Sequence, residues 1–205
     1  MLELIQGEGG VNILDPEYVK ELVKYCNDND ILVIVDEVQT GVGRTGKLVC
    51  SSELRYPPDL MTVAKGSAAD FLSVFVCAVK SSRMLCHRQL THNIGANPVV
   101  CAGANYVLDT VANDEFLAEV EKKGQYFEDK LTKIDGVKSV RRMGLMIGIE
   151  LEKGDAHDIA IKCVENGLLI ITAKDLLRML PPLVIDYNEI DEAINILEKT
   201  IKENN

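Results

Sequence analysis

The sequence has 205 residues, and its 22 lysines and arginines against 32 aspartates and glutamates give a formal net charge of −10 at pH 7. Its hydrophobic fraction of 47% and charged fraction of 26% are near the average of globular proteins and argue against a disordered tail. No apolar run approaches the ~20 residues that span a bilayer, and the net negative charge disfavours nucleic-acid binding, so we expect neither membranes nor nucleic acids as partners.

The first part of the chain alternates between a helical pattern and short apolar runs. Asp15 followed by Pro16 predicts a helix start, because aspartate is a common N-cap and proline is favoured at the first helical position. Residues 31–35, 60–64 and 71–79 are continuous apolar runs, which are typical of strands covered on both faces. This alternation predicts an α/β layer with parallel strands.

The pattern changes after Pro98. Residues 99–111 predict an apolar helix, and Asp114 begins a long amphipathic helix. Two strands are predicted at residues 137–140 and 145–151, separated by residues 141–144. A helix ending at Asn166-Gly167, short strands at 168–172 and 178–180, and a last helix whose buried stripe contains Ile190, Ala193, Ile194, Leu197 and Ile201 complete the chain.

We place a domain boundary where the pattern changes. Residues 1–112 are predicted to form an α/β domain, and residues 113–205 a smaller α+β domain.

The six cysteines include no C-x-x-C pair, and the three histidines lack the spacing of metal ligands. We therefore expect reduced, packed thiols rather than disulfides or a metal site. Reduced thiols indicate a reducing compartment, either the cytosol or an organelle matrix, and we favour a cytoplasmic location. The first residues carry no basic segment followed by a long apolar run, so no secretory signal is expected.

The densest cluster of polar and glycine residues, 36–46, directly follows the predicted strand 31–35. Its last six residues, 41–46, match the dinucleotide-binding pattern G-x-G-x-x-G. That motif needs a helix to start inside it, because the helix N-terminus holds the pyrophosphate. The short stretch between Lys47 and Pro57 leaves no room for a long helix, so we do not favour dinucleotide binding.

Asp36 and Lys65 end two strands that are predicted to be parallel. In open parallel sheets ligands bind at the carboxyl ends of the strands. A carboxylate that keeps a pyridine nitrogen protonated, beside a lysine that bonds to a carbonyl carbon, is what pyridoxal phosphate chemistry needs. The alternative is that Asp36 begins a turn and Lys65 is a solvated strand end.

Three segments together resemble the class III pyridoxal-phosphate aminotransferases, most closely those acting on acetylornithine and ornithine. They are residues 5–10 (IQGEGG), 36–47 (DEVQTGVGRTGK) and 58–66 (PDLMTVAKG). Further matching segments follow in the family's order at residues 95–98, 144–151 and 177–183. The resemblance implies an α/β fold: the C-terminal half of the family's large domain, with a mostly parallel sheet, followed by the small α+β domain.

The resemblance also implies roles for single residues around the cofactor. Asp36 resembles the aspartate that pairs with the pyridinium nitrogen, and Gln39 the glutamine that contacts the ring hydroxyl. Lys65 resembles the lysine that bonds to the cofactor and later moves a proton at the substrate Cα. Asn93 falls where the family has a threonine that reaches the cofactor phosphate in the partner subunit, and a small shift would make it Thr91.

Two residues resemble the family's substrate site. Arg178 resembles the arginine that binds the substrate α-carboxylate, a task for which a planar guanidinium is suited. Glu8 resembles the glutamate that pairs with this arginine in the ornithine branch. We therefore expect the charged groups of Glu8 and Arg178 to approach within ~4 Å and both residues to be partly buried. The alternative is that Arg178 is solvated at a strand edge.

The activity implied is transfer of an amino group from an ω-amino substrate to pyridoxal phosphate and then to 2-oxoglutarate, by a homodimer or larger assembly. Family members are longer, and the missing half carries their phosphate-binding loop. The expectation is therefore that this chain alone binds the cofactor weakly or not at all and turns over negligibly. The alternatives are a non-catalytic, self-associating fragment with the same fold, and a subunit completed by a separate chain.

Overall fold

A computed structural model of the protein describes residues 1–53, 57–68, 76–79 and 98–204. The chain divides into two compact units. Unit 1 consists of Met1–Ile5, Ile13–Gly43 and Lys47–Leu117, and unit 2 of Gln6–Asn12, Arg44–Gly46 and Ala118–Asn205. The division into two folding domains at residue 112 stays a prediction. Within the described part of the chain, no helix is long and apolar enough to cross a membrane.

The first helix of unit 1 starts where the sequence predicts it. Helix α1 spans Pro16–Asp28, and the Asp15 carboxylate accepts a hydrogen bond from the Tyr18 backbone N–H at 2.8 Å. Its buried residues, Val19 and Val23, pack in a cluster with Leu4, Val33 and Val35. The helix is therefore fixed by a local cap and by one apolar face.

Among the described residues, the sheet of unit 1 has three strands in the order β3-β4-β5, which span Ile34–Asp36, Leu60–Val63 and Val76–Val79. Strands β3 and β4 are parallel, as predicted, and Asp36 lies opposite Thr62. Strand β5 runs antiparallel to β4, so the prediction of parallel strands is wrong for β5. A continuous apolar run indicates that a strand is buried, but it does not indicate the strand's direction. Residues 71–75 of the predicted third strand lie outside the described residues.

The prediction of a strand covered on both faces over residues 31–35 is partly wrong. Strand β3 begins only at Ile34, and the side chains of Ile31 and Leu32 are each 47% exposed. Helix α2 spans Pro98–Val111, as the apolar pattern predicts. The short strands β1 (Ile5–Gln6) and β2 (Asn12–Ile13) form a separate two-stranded sheet.

Most of helix α3 (Asp114–Leu131) lies in unit 2, where a four-stranded antiparallel sheet has the order β6-β7-β9-β8. Its strands are Val137–Met143 (β6), Met146–Leu151 (β7), Ile171–Ala173 (β8) and Leu176–Met179 (β9). The prediction that residues 141–144 connect two strands is wrong for the first three, because they pair along β7 and leave only Gly144 and Leu145 as the turn.

Two further helices complete unit 2, α4 (Ala156–Glu165) and α5 (Tyr187–Lys202). Helix α4 ends at Asn166, followed by Gly167 with a φ of +94°, as the Asn-Gly pair predicts. Helix α5 begins with a capping box between Asp186 and Glu189. The predicted apolar stripe of α5 is confirmed as buried: Ile190, Ala193, Ile194, Leu197 and Ile201.

Candidate active site

Asp36 is the last residue of β3, and one of its two carboxylate oxygens accepts hydrogen bonds from the protein. Its Oδ1 accepts hydrogen bonds from the Thr62 hydroxyl and the Val38 backbone N–H, both at 3.0 Å. Its Oδ2 has no hydrogen-bond partner among the described residues. The half-buried carboxylate is thus oriented through one oxygen, while the other is available to a ligand.

Lys65 follows the neighbouring strand β4 and begins a short 3₁₀ helix, Lys65–Ala68. Its side chain is exposed, and it forms no salt bridge with any residue that the structure describes. Its backbone φ is +46°, a left-handed conformation that is uncommon outside glycine and costs about 1–3 kcal/mol. Such strained residues cluster at active sites, which supports a functional role for this position.

The register of the sheet relates these two residues. Because β3 and β4 are parallel with Asp36 opposite Thr62, their carboxyl ends lie at the same edge, and Lys65 comes three residues after Thr62. Gln39 belongs to the same unit and is half-buried. Asn93 and Thr91 lie outside the described residues, so the predicted phosphate contact stays a prediction.

The residue beside Asp36 was not identified from the sequence. Glu37 has no exposed surface, and its carboxylate accepts hydrogen bonds from the backbone N–H groups of Cys50 at 2.8 Å and Ser51 at 2.6 Å, and from the Thr40 hydroxyl at 2.8 Å. This carboxylate therefore fixes the loop that leaves the sheet after Asp36. An acidic pair after a strand was visible in the sequence, but Cys50 and Ser51 lie 13 and 14 residues from Glu37, too far for their contacts to be predicted.

The residues around Asp36 fit the ring of pyridoxal phosphate. A protonated pyridine nitrogen needs a carboxylate oxygen, which Asp36 Oδ2 offers, and a carbonyl carbon needs an accessible amine, which Lys65 offers. Thr62 and Val38 hold the carboxylate in place, so its position does not depend on the ligand. Among the described residues we identify groups suited to the ring but none assigned to the phosphate.

In unit 2 the predicted pair is present. Arg178 on β9 donates from Nη2 to Glu8 Oε1 at 2.8 Å. The Arg178 side chain is 5% exposed, whereas the Glu8 side chain is 70% exposed. Only the arginine is buried, so the expectation that both residues are partly buried is wrong for Glu8. A buried cation is costly without a counter-charge, and Glu8 supplies one from the surface.

A further segment of the sequence cluster 36–46 lies in unit 2. Arg44 donates from Nη1 to the carbonyl oxygens of Leu145 at 3.3 Å and Pro181 at 2.5 Å. The backbone of Arg44, Thr45 and Gly46 lies so close to Gly144 that a Cβ there would be 2.5–2.7 Å from their atoms. The sequence motifs 36–47 and 144–151 are thus in contact through the backbone of Gly144.

Comparison with known proteins gives one family and consistent relatives. The family model described as Aminotransferase class-III matches residues 1–201. The acetylornithine aminotransferase of Caldanaerobacter subterraneus subsp. tengcongensis is 43% identical over 208 residues, which are 99% of this chain and 53% of that protein. That of Haemophilus ducreyi is 40% identical over 205 residues, 99% of this chain and 52% of that protein. The chain spans about half the length of the curated relatives it matches.

Solved structures agree with the sequence relatives. The ornithine aminotransferase of Toxoplasma gondii superposes with a TM-score of 0.88 at 31% identity, over 98% of this chain and 50% of that one. The N-acetylornithine aminotransferase of Stenotrophomonas maltophilia gives a TM-score of 0.88 at 32% identity, over 99% of this chain and 56% of that one. The predicted fold class is thereby confirmed over the matched part.

Proposed function

Because this chain belongs to the class-III aminotransferase family, we propose that it carries the ring-binding and carboxylate-binding residues of an aminotransferase of the acetylornithine/ornithine type. The reaction would move an amino group from an ω-amino substrate to pyridoxal phosphate, the cofactor that the family implies, and then to 2-oxoglutarate. The observation that carries this proposal is the oriented Asp36 carboxylate at the same sheet edge as Lys65. The relatives' printed activities support the substrate class.

Asp36 would hold the cofactor ring in its protonated form. When bound, pyridoxal phosphate withdraws electrons from the substrate Cα, and it does so best with its ring nitrogen protonated. Asp36 Oδ2 would accept that N–H, while Thr62 and Val38 keep Oδ1 in place. A hydrogen bond to a charged group is worth about 1.5–3 kcal/mol, so the contact contributes substantially to binding.

Lys65 would act first as the covalent anchor and then as the base. Its amine is exposed and would hold the cofactor through the carbonyl carbon, with release of the carbonyl oxygen as water. Once the substrate amine has taken its place, the Lys65 amine would move a proton at the substrate Cα. The left-handed backbone conformation of Lys65 would fix the direction in which its side chain leaves the main chain.

Arg178 would bind the substrate carboxylate, and Glu8 would compete for it. The guanidinium is buried and can present two parallel N–H donors to a carboxylate. The Glu8 side chain is 70% exposed, so it would leave Arg178 for the solvent when a ligand carboxylate arrives. This exchange would let one site alternate between the two substrates.

Selective labelling of Lys65 tests the cofactor site. The purified chain is incubated with a low, graded concentration of pyridoxal phosphate and reduced with borohydride, which fixes the cofactor on the lysine to which it is bonded. We expect Lys65 to be labelled at lower concentrations than Lys174, an exposed lysine that also has a positive φ, +53°. Peptide mass spectrometry measures the ratio of the two labels.

The matched variant for this test is Asp36→Asn. Loss of the charged acceptor should lower labelling of Lys65 by about tenfold while labelling of Lys174 stays unchanged. Equal labelling of both lysines in the unmodified chain, or a Lys65 label indifferent to Asp36→Asn, would contradict the assignment.

A further inference from the structure

Three residues of unit 2 lie in one row across the sheet. Arg141 on β6 pairs with Gly148 on β7, and Gly148 pairs with Arg178 on β9. Residues directly opposite each other in antiparallel strands project to the same face. Because Gly148 has no side chain, the face is open between the two arginines.

The segment between Glu8 and Asn12 occupies this opening and is held at both ends. Glu8 contacts Arg178 at 2.8 Å, and the Asn12 side-chain oxygen accepts a hydrogen bond from Arg141 Nη1 at 2.7 Å. Asn12 also donates from Nδ2 to the Gly9 carbonyl at 2.7 Å, which closes the loop on itself.

Between these two ends the chain is strained and tightly packed. Val11 is fully buried with a φ of +53°, which is unfavourable for a β-branched residue. A Cβ at Gly148 would lie 3.0 Å from the Val11 Cβ, and one at Gly10 would lie 3.1 Å from Leu176. Such a conformation persists only when the surrounding contacts determine it.

Arg141 is itself oriented by an acidic residue of the next strand. Its Nη2 lies 3.5 Å from Glu150 Oε2. Glu150 also accepts hydrogen bonds from Lys138 Nζ at 2.7 Å and from the Ser139 hydroxyl at 2.8 Å. Arg141 is thus placed to bind the loop at its Asn12 end. The Arg141 side chain is 41% exposed. Its hydrogen bonds among the described residues go to Gly10, Asn12 and Glu150, and none goes to Glu8 or Arg178.

We propose that Arg141 is a positioning residue that, through Asn12, holds the 8–12 loop so that Glu8 meets Arg178. Releasing Asn12 frees the strained loop, and Glu8 then spends less time on the arginine. The accessibility of Arg178 to a ligand carboxylate is therefore set by a contact at the far end of the row. The proposal rests on the proposed function only for the nature of that ligand.

The first experiment observes Arg178 directly in the full chain, by NMR of its side-chain Nη–H groups. Glu8→Gln gives the reference spectrum of the unpaired state. We expect Asn12→Ala and Arg141→Gln to shift the Arg178 resonances toward that reference and to speed hydrogen exchange at the amides of residues 9–12 about tenfold. Lys138→Gln, which removes another partner of Glu150 but no contact to the loop, is the control and should change neither.

The second experiment uses glutarate as the carboxylate probe. Glu8→Gln and Asn12→Ala should each bind glutarate more tightly than the unmodified chain, and the double variant no more tightly than Glu8→Gln alone. If no variant binds glutarate, the carboxylate role of Arg178 in the proposed function is wrong, while the NMR result still decides the positioning role. If Asn12→Ala folds and its Arg178 resonances are those of the unmodified chain, the proposal is overturned, even if Arg141→Gln shifts them or does not fold.

Discussion

Glu37 shows how a single buried carboxylate fixes the backbone beside the proposed cofactor site. Its side chain is completely buried, and its three side-chain hydrogen bonds come from Thr40 and from the backbone of Cys50 and Ser51. Buried charge is tolerated only when it is fully hydrogen-bonded, and here the donors are supplied by the loop that follows Asp36. The loop is therefore organised around Glu37.

Replacing Glu37 with glutamine should destabilise the chain by about 1.5–3 kcal/mol. The amide NH₂ would face a backbone N–H donor, so one buried donor would lose its acceptor. Glu21→Gln, at an exposed position of α1, is the matched control and should change stability by no more than about 0.5 kcal/mol. Urea unfolding measures both, and equal stability of the two variants would contradict the role given to Glu37.

At the scale of elements, helix α3 approaches the β6–β7 turn through glycines. A Cβ at Gly124 of α3 would lie 2.2 Å from the Gly144 carbonyl oxygen. Arg142 on β6 reinforces this contact, since its guanidinium donates to Glu128 at 2.7 Å and to Glu121 at 2.8 Å. Close backbone approach, rather than helix propensity, therefore explains the glycine in α3.

Two glycine-to-alanine variants should have opposite effects. In a helix interior this change is normally stabilising by roughly 0.5–1 kcal/mol. Gly103→Ala in α2 should follow that rule, because a Cβ there meets no heavy atom of the described residues within 4 Å. Gly124→Ala should instead lower the melting temperature, because the helix must move away from Gly144. A rise in melting temperature for Gly124→Ala would show that the contact is not tight.

Helices α3 and α5 are joined by a polar and aromatic cluster. Asp191 accepts hydrogen bonds from Lys130 at 2.7 Å and from the Tyr126 hydroxyl at 2.9 Å. The Tyr126 and Tyr187 rings are perpendicular with centroids 5.0 Å apart, and the Tyr187 hydroxyl donates to Glu119 at 2.8 Å. The hydrogen bond from Lys130, then that from Tyr126, lowers the pKa of Asp191 below its ordinary 3.8.

This cluster predicts a pH dependence of stability with a definite sign. Because the pKa of Asp191 is lowered on folding, its contribution is present above pH 3.8 and is lost as the pH falls below that value. The pKa of Lys130 is raised, chiefly by Asp191, so its contribution is lost as the pH rises above 10.5. The difference in melting temperature between the unmodified chain and Asp191→Asn should therefore shrink below pH 3.8.

Both groups lie at the surface, so the effect should also weaken in high salt. Glu192→Gln, the neighbouring exposed position of α5, is the control and should not reproduce this pH dependence. A difference for Asp191→Asn that stays constant down to pH 2 would contradict the assignment.

Local signals in the sequence were sufficient for the helices but not for long-range contacts. The Asp15 cap of α1 and the buried stripe of α5 follow from spacing alone. The extension of β6 through Met143 depends on pairing with β7, and the direction of β5 on its neighbour β4. The site residues also depend on long-range contacts. The pairing of Glu8 with Arg178 was predicted only from the family resemblance, and the row that joins Arg141 to Arg178 is formed only by the register of the folded sheet.

At the scale of the whole molecule, helix α2 has several large apolar side chains exposed at its surface. Val99 is 71% exposed, Tyr106 76% and Leu108 40%. Exposed apolar patches commonly mark protein interfaces. We expect a homodimer or larger assembly by light scattering, weakened by Tyr106→Ser and unaffected by Tyr18→Ser, a similarly exposed tyrosine on α1. A stable monomer across micromolar concentrations would contradict this expectation.

The most direct test of the cofactor site is a titration of the purified chain with pyridoxal phosphate, followed by visible absorption. Because the described residues provide for the ring but not for the phosphate, we predict a saturable band with weak apparent affinity. Borohydride should abolish the band, and Lys65→Asn should never develop it. Asparagine is chosen because it tolerates the left-handed backbone at this position. The same band in Lys65→Asn would mean that another lysine carries the cofactor, and the proposed site would be wrong.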